Sequence, residues 1–139
     1  MSGGKKKGSM MAVRLEIALA AFCLLATVDT MGKTPPPEQA VIVHFDYGHS
    51  DWSAFFTFEE HMEAVVTKAN VGEYDGNELA TDGSDGYLYF YGPDADKLFA
   101  VVKSQLLSAA FLKNIRVTLR YGSVDDQNAR ETHLTLGGP

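Results

Sequence analysis

Three tyrosines, two arginines and a histidine–aspartate pair stand at alternating positions in three short stretches of the sequence. The stretches are Val41-Ile-Val-His-Phe-Asp-Tyr47, Tyr87-Leu-Tyr-Phe-Tyr91 and Ile115-Arg-Val-Thr-Leu-Arg-Tyr121. Residues two apart on an extended strand share a face. His44 therefore falls beside Asp46, Tyr87 beside Tyr89 and Tyr91, and Arg116 beside Thr118 and Arg120. An imidazole next to a carboxylate is the minimal equipment of a general base. Tyrosine and arginine are the side chains that dominate protein interfaces. His44 is accordingly a candidate base, oriented by Asp46 or by Arg116. Tyr87, Tyr89, Tyr91, Arg116, Arg120 and His44 form a candidate binding surface.

Other chemistry finds less support. His44, Asp46, His49 and Asp51 carry metal-ligating atoms, but they straddle a strand and a loop at no recognised ligand spacing. No metal is assigned to them. Asp82-Gly-Ser-Asp-Gly86 has the look of a calcium loop without its third oxygen ligand, its glycine at position six or its terminal glutamate; it reads as a turn. The chain has no phosphate-binding glycine loop and no G-x-S-x-G, and its one cysteine, Cys23, lies in an N-terminal extension. One copy of the domain thus has no cysteine nucleophile, disulfide or thiolate metal site. No cofactor is expected. Net charge is −6, which weighs against nucleic acid or an acidic membrane surface as the main partner.

The positioning elements follow from periodicity. Val41, Val43, Phe45 and Tyr47 alternate with Ile42, His44 and Asp46, which predicts a first strand. Thr57-Phe-Glu-Glu60 has the form of a capping box. It opens a helix to about Asn70 whose stripe is Phe58, Met62, Val65, Val66 and Ala69, with Gly72 at the exit. Glu73 to Ala80 is acidic and interrupted by Gly76, which suits an edge strand. Asp85-Gly-Tyr-Leu-Tyr-Phe-Tyr-Gly92 is the third strand. Pro93 then suits the first helical position, and Asp94 and Asp96 complement the positive end of the helix dipole. That helix runs to about Ser108 on Leu98, Val101, Val102, Gln105 and Leu106. Ile115 to Tyr121 is the fourth strand, followed by a polar tail, 123–139, in which Thr132 to Leu136 suggests a short edge strand.

The order β-α-β-β-α-β predicts an α+β, ferredoxin-like fold. Its four-stranded antiparallel sheet has the order 4-1-3-2, with both helices on one face. Leu88 and Phe90 should face the helices, because the opposite parity would bury three tyrosine hydroxyls, each needing a partner. The strings Glu73-Tyr-Asp-Gly-Asn-Glu78, Tyr89-Phe-Tyr-Gly-Pro-Asp-Ala-Asp96 and Val117-Thr-Leu-Arg-Tyr-Gly122 resemble a set of small uncharacterised bacterial proteins over roughly residues 41–122. The resemblance implies the same fold and a bacterial origin, and brings no activity or site residue with it.

Three functional classes remain in view. The first is a small non-enzymatic module whose open sheet face, richer in aromatics than a solvated face needs, meets a second copy or a protein partner. An enzyme of the dimeric α+β barrel kind would use His44 and Asp46 in a pocket on that face. An RNA-recognition-like binder of single strands is suggested by Gly86-Tyr-Leu-Tyr89, since aromatics two apart stack on bases. Asp85, standing where a basic residue belongs, and the acidic charge disfavour it.

Residues 1–32 read as a signal-like or anchor segment. Lys5-Lys6-Lys7 and Arg14 precede the apolar run Ile17 to Val28, with Thr30 and Gly32 at a workable cleavage spacing. Export or anchoring is favoured over a cytoplasmic product. Met10, Met11 and Met31 are alternative starts, and a start at Met31 would remove the segment. Residues 33–40, with Pro35-Pro-Pro37, read as a stiff linker, and 41–122 as the domain. Deleting residues 1–36 should therefore leave the melting temperature within a few degrees; loss of cooperative unfolding would mean that the cut enters the fold.

Overall fold

The computed structural model describes residues 38–137. The signal-like segment and residues 33–37 of the linker lie outside the described residues. Alternation carries β1 (Gln39–Asp46), so that Val41, Val43 and Phe45 are fully buried while Ile42, His44 and Asp46 are half-exposed. It begins two residues inside the expected linker.

Helix α1 (Ser53–Ala69) starts a turn earlier than the Thr57 signal predicts. Asp51 organises that start, its Oδ1 accepting from the Ser53 N–H (2.9 Å) and the Ser53 hydroxyl (2.6 Å). Thr57 is an interior residue whose hydroxyl donates to the Ser53 carbonyl at 3.2 Å. Aromatic packing accounts for the extra turn: Trp52 stacks on Tyr47 at 4.1 Å, and buried Phe55 packs against Phe45 at 5.5 Å. Phe55, Met62 and Val66 form the buried stripe, and Ala69 is exposed.

β2 (Glu73–Leu79) is an edge strand whose register shifts between Tyr74 and Gly76. Glu59 of α1 ties it down, accepting from the Tyr74 hydroxyl and the Asn77 amide. β3 (Asp85–Gly92) has the expected parity, with Leu88 and Phe90 fully buried and the three tyrosines half-exposed. Gly92 does more than end a strand. A Cβ there would lie 2.5 Å from the Val71 carbonyl oxygen, and one at Gly72 would lie 2.3 Å from that of Tyr91. The exit of α1 thus crosses β3 backbone against backbone.

Helix α2 (Ala95–Ser108) is capped by Asp94, whose Oδ1 accepts from the Lys97 N–H at 3.1 Å. Pro93 precedes the cap instead of occupying the first helical position, while Asp96 sits in the first turn as expected. β4 (Lys113–Tyr121) and β5 (Arg130–Leu136) complete the sheet.

Among the described residues the result is an α+β domain with two helices and a single antiparallel sheet ordered β2-β3-β1-β4-β5. This corrects the four-stranded expectation, since most of the polar tail is a hairpin return. β5 pairs with β4 in unbroken register from Arg130 to Leu136, and Leu136 and Leu134 pack on the core. α2 lies over β1, β3 and β4, α1 lies beside it over β2, and one apolar cluster fills the space between helices and sheet.

Phe90 lies at the centre of that cluster and Tyr89 points the other way. Phe90→Ala should cost about 3–5 kcal/mol of unfolding free energy in a denaturant melt. Tyr89→Ala should cost about 1 kcal/mol, from lost cross-strand contact. The reverse ranking would invert the strand's parity.

Candidate functional site

The helix-free face is laid out in rows by the register of β3, β1, β4 and β5. Tyr91, Ala40, Arg120 and Glu131 form one row; Tyr89, Ile42, Thr118 and His133 the next; Tyr87, His44, Arg116 and Thr135 the third. Asp85 and Asp46 face one another beyond them. The six residues expected to bind, and Asp46 with them, thus do share one face, but their partners differ from expectation.

His44 pairs with Asp85 and not with Asp46. Its Nε2 lies 2.8 Å from Asp85 Oδ2, and its ring stacks on Tyr87 at 4.2 Å and 2°. Asp46 is drawn towards β4 instead, where Oδ1 accepts from Arg116 Nη2 (2.7 Å) and Oδ2 from the Asn114 amide (2.7 Å). Arg116 Nη2 also comes within 3.4 Å of His44 Nε2. Arginine has no acceptor atom, so an N–H at Nε2 donates to the Asp85 carboxylate and Arg116 is only a neighbour of the ring. The Asn114 amide holds the Asp46 carboxyl below its ordinary pKa, and Arg116 acts in the same direction.

Arg120 is likewise committed. It donates to Glu131 Oε1 (2.6 Å) and to the Asp126 carbonyl (2.5 Å), with the Ser123 carbonyl 3.4 Å from both Nε and Nη2. These bonds fasten the β4–β5 loop over the first row, where Ala40 is buried. Neither arginine is therefore a free anchor.

The tyrosines are the accessible part. Tyr87 and Tyr89 lie nearly parallel, 6.2 Å apart, and continue the stack begun by His44. Burial, and then the nearby Glu78 carboxylate, push the Tyr89 phenol up to about 12. Burial also raises Tyr91, with Asp75 and Glu38 adding to it.

The two loop residues weighed as metal donors are otherwise engaged. Asp51 accepts from the Ser53 N–H and hydroxyl just before α1, and His49 packs edge-on against Tyr47 at 5.4 Å. Among the described residues no group of three or more His, Cys, Asp or Glu side chains is arranged to hold a metal ion.

Asp85 and Asn114 are the site residues that sequence reasoning missed. Asp85 carried a usable signal, because it stands two before Tyr87 and so shares the tyrosines' face; its turn-like neighbours Asp82-Gly-Ser concealed it. Asn114 adopts a positive φ of 46° at the start of β4, which no alternation pattern reveals. No protein-family model matches the chain, and neither a curated protein nor a solved structure matches it.

The phenol of Tyr89 gives this face a measurable signature. The folded protein keeps that proton up to about pH 12, whereas an unfolded chain releases it near 10.0. The stability contributed by this group is therefore complete below pH 10, and it is lost as the pH rises towards 12. Tyr74 and Tyr91 are raised by burial as well, so absorbance titration of tyrosinate should show a late phase whose amplitude Tyr89→Phe lowers by one tyrosine, and the variant should lose less stability across this window. A wild-type protein whose tyrosines all titrate near 10 would contradict the burial assigned to Tyr89.

Proposed function

We propose that this domain is a small non-enzymatic interaction module whose open sheet face takes another protein, a separate partner or a second copy. The observation that carries the reading is the His44–Tyr87–Tyr89 stack, half-exposed and set among charges that already satisfy one another. Asp46 with Arg116, and Glu131 with Arg120, leave little free charge at the centre of the face. Stacked rings supply contact area at little entropic cost, as tyrosine does in binding surfaces generally. Glu73 and Glu78, exposed on β2 opposite Tyr91 and Tyr87, make the rim acidic on that side. An acidic rim favours a protein with basic flanks over a nucleic-acid strand. In fold terms the first six elements read as a ferredoxin-like βαββαβ unit, order 4-1-3-2, with β5 added outside β4.

A second reading is favoured by one observation, the His44–Asp85 contact. A dimeric α+β barrel enzyme would use His44 as base, with Asp85 in the orienting role first given to Asp46. The interaction reading is preferred because the stack and the ion pairs account for the same residues without a substrate pocket.

A photo-reactive residue placed at Thr118 of the full chain should capture a protein from its native cell. Tyr89→Ala should cut the yield at least about tenfold, the scale of a modest interface hot spot, with the melting temperature lowered by only about 4–8 °C, as a loss of about 1 kcal/mol implies. A face that captures nothing, or a yield indifferent to Tyr89→Ala, would sink the interaction reading.

A further inference from the structure

The sheet ends in two unlike edges. β2 carries Glu73, Asp75 and Glu78, all exposed, and is broken by the irregularity at Gly76, whose φ is +130°. Charge and a bulge are the usual protections of an edge against pairing with another strand. β5 has neither along most of its length: its register is unbroken, it contains no glycine or proline, and Thr132 to Leu136 carry no formal charge with His133 neutral. Among the described residues its outer edge has no neighbour.

Two polar groups on β5 are each half-used. Glu131 gives Oε1 to Arg120 at 2.6 Å, and its Oε2 lies 3.7 Å from His133 Nε2, too far for a good hydrogen bond. His133 Nδ1 lies 3.0 Å from the Thr118 hydroxyl, and among the described residues Nε2, on a ring that is 71% exposed, has only that loose contact with Glu131. An acceptor and a nitrogen able to donate thus stand two residues apart, without a close partner among the described residues, on one side of a free strand edge.

We infer that the β5 edge is a strand-addition site for β5 of a second copy, paired antiparallel about a two-fold axis perpendicular to the sheet and passing by Thr132. A two-fold contact sets the same patch against itself, and facing residues must share a side of the sheet. Centring on Thr132 sets Glu131 opposite the partner's His133, twice over, so both half-used groups find a mate. Centring on Glu131 or on His133 would set each opposite itself, and centring on Leu134 would face Glu131 with Gly137. Main-chain hydrogen bonds supply the attraction, as in strand addition generally. The contact differs from the open-face site and leaves that face free in both copies.

Sedimentation of the full chain over a range of concentrations should reveal a reversible dimer. His133→Glu sets like charges opposite each other twice and should raise the dimer's Kd at least about tenfold, while Glu78→Lys on the other edge should not. In a Cys23→Ser background, Thr132→Cys should form an interchain disulfide on mild oxidation, and Glu78→Cys should not. A chain that is monomeric at every concentration and gives no Thr132→Cys bridge overturns the inference. So does a dimer indifferent to His133→Glu but lost on Tyr89→Ala, which would run through the open face. A dimer that survives Tyr89→Ala and fails on His133→Glu supports the edge contact whatever becomes of the open-face reading.

Discussion

Strand β1 is hydrogen-bonded along both sides, to β3 and to β4, and one of its faces is sealed by helices. That double constraint decides where every chemically useful side chain in the domain points. A slip of one residue would send His44 and Asp46 into the core and expose Val41, Val43 and Phe45. Burying a carboxylate without its partners costs several kcal/mol or forces it to bind a proton. The register is consequently set by the apolar residues, and the polar face follows from it. The site is not assembled by loops reaching over a scaffold; it is the other side of the core.

Because the rows are fixed, each charged group meets a particular neighbour, and the face is close to saturated with its own interactions. Asp46 holds Arg116 and Asn114, Asp85 holds His44, and Glu131 holds Arg120. Exposed pairs of this kind contribute little to stability. Their consequence here is orientation, since they keep the His44 ring parallel to Tyr87 and keep the arginines from reaching outwards. Arg120 shows the difference plainly. Read from sequence it is a cation available to a ligand; in the fold it is the pin that holds the Ser123–Asp126 turn across one end of the face.

Alternation made most of this legible. Period two separated Val41, Val43, Phe45, Leu88, Phe90, Val117 and Leu119 from their polar neighbours, and the cost of burying three tyrosine hydroxyls decided which side of β3 meets the helices. The start of α1 was not legible, because Thr57-Phe-Glu-Glu60 satisfies the local capping pattern while the deciding contacts are tertiary. Trp52 on Tyr47 and Phe55 on Phe45 extend the helix by a turn that no local signal requires. β5 was only faintly visible, since an edge strand needs few apolar residues: Leu134 and Leu136 suffice to seat it. The His44–Asp85 contact joins residues 41 apart in sequence, and a pairing by sequence proximity naturally chose Asp46.

The two edges of the sheet differ in the charge they carry. Glu73, Asp75 and Glu78 gather on β2, beside the tyrosines, whereas β5 has one acid and one base at its start and none further along. An even spread of charge would protect both edges and leave the aromatic face ringed on all sides. The actual distribution rings the face on the β2 side alone and leaves the β5 side open for extension. With a two-fold at β5, two such faces would lie side by side in one continuous sheet, their acidic borders outermost. The protected edge would then bound the assembly, and the unprotected one would be its seam.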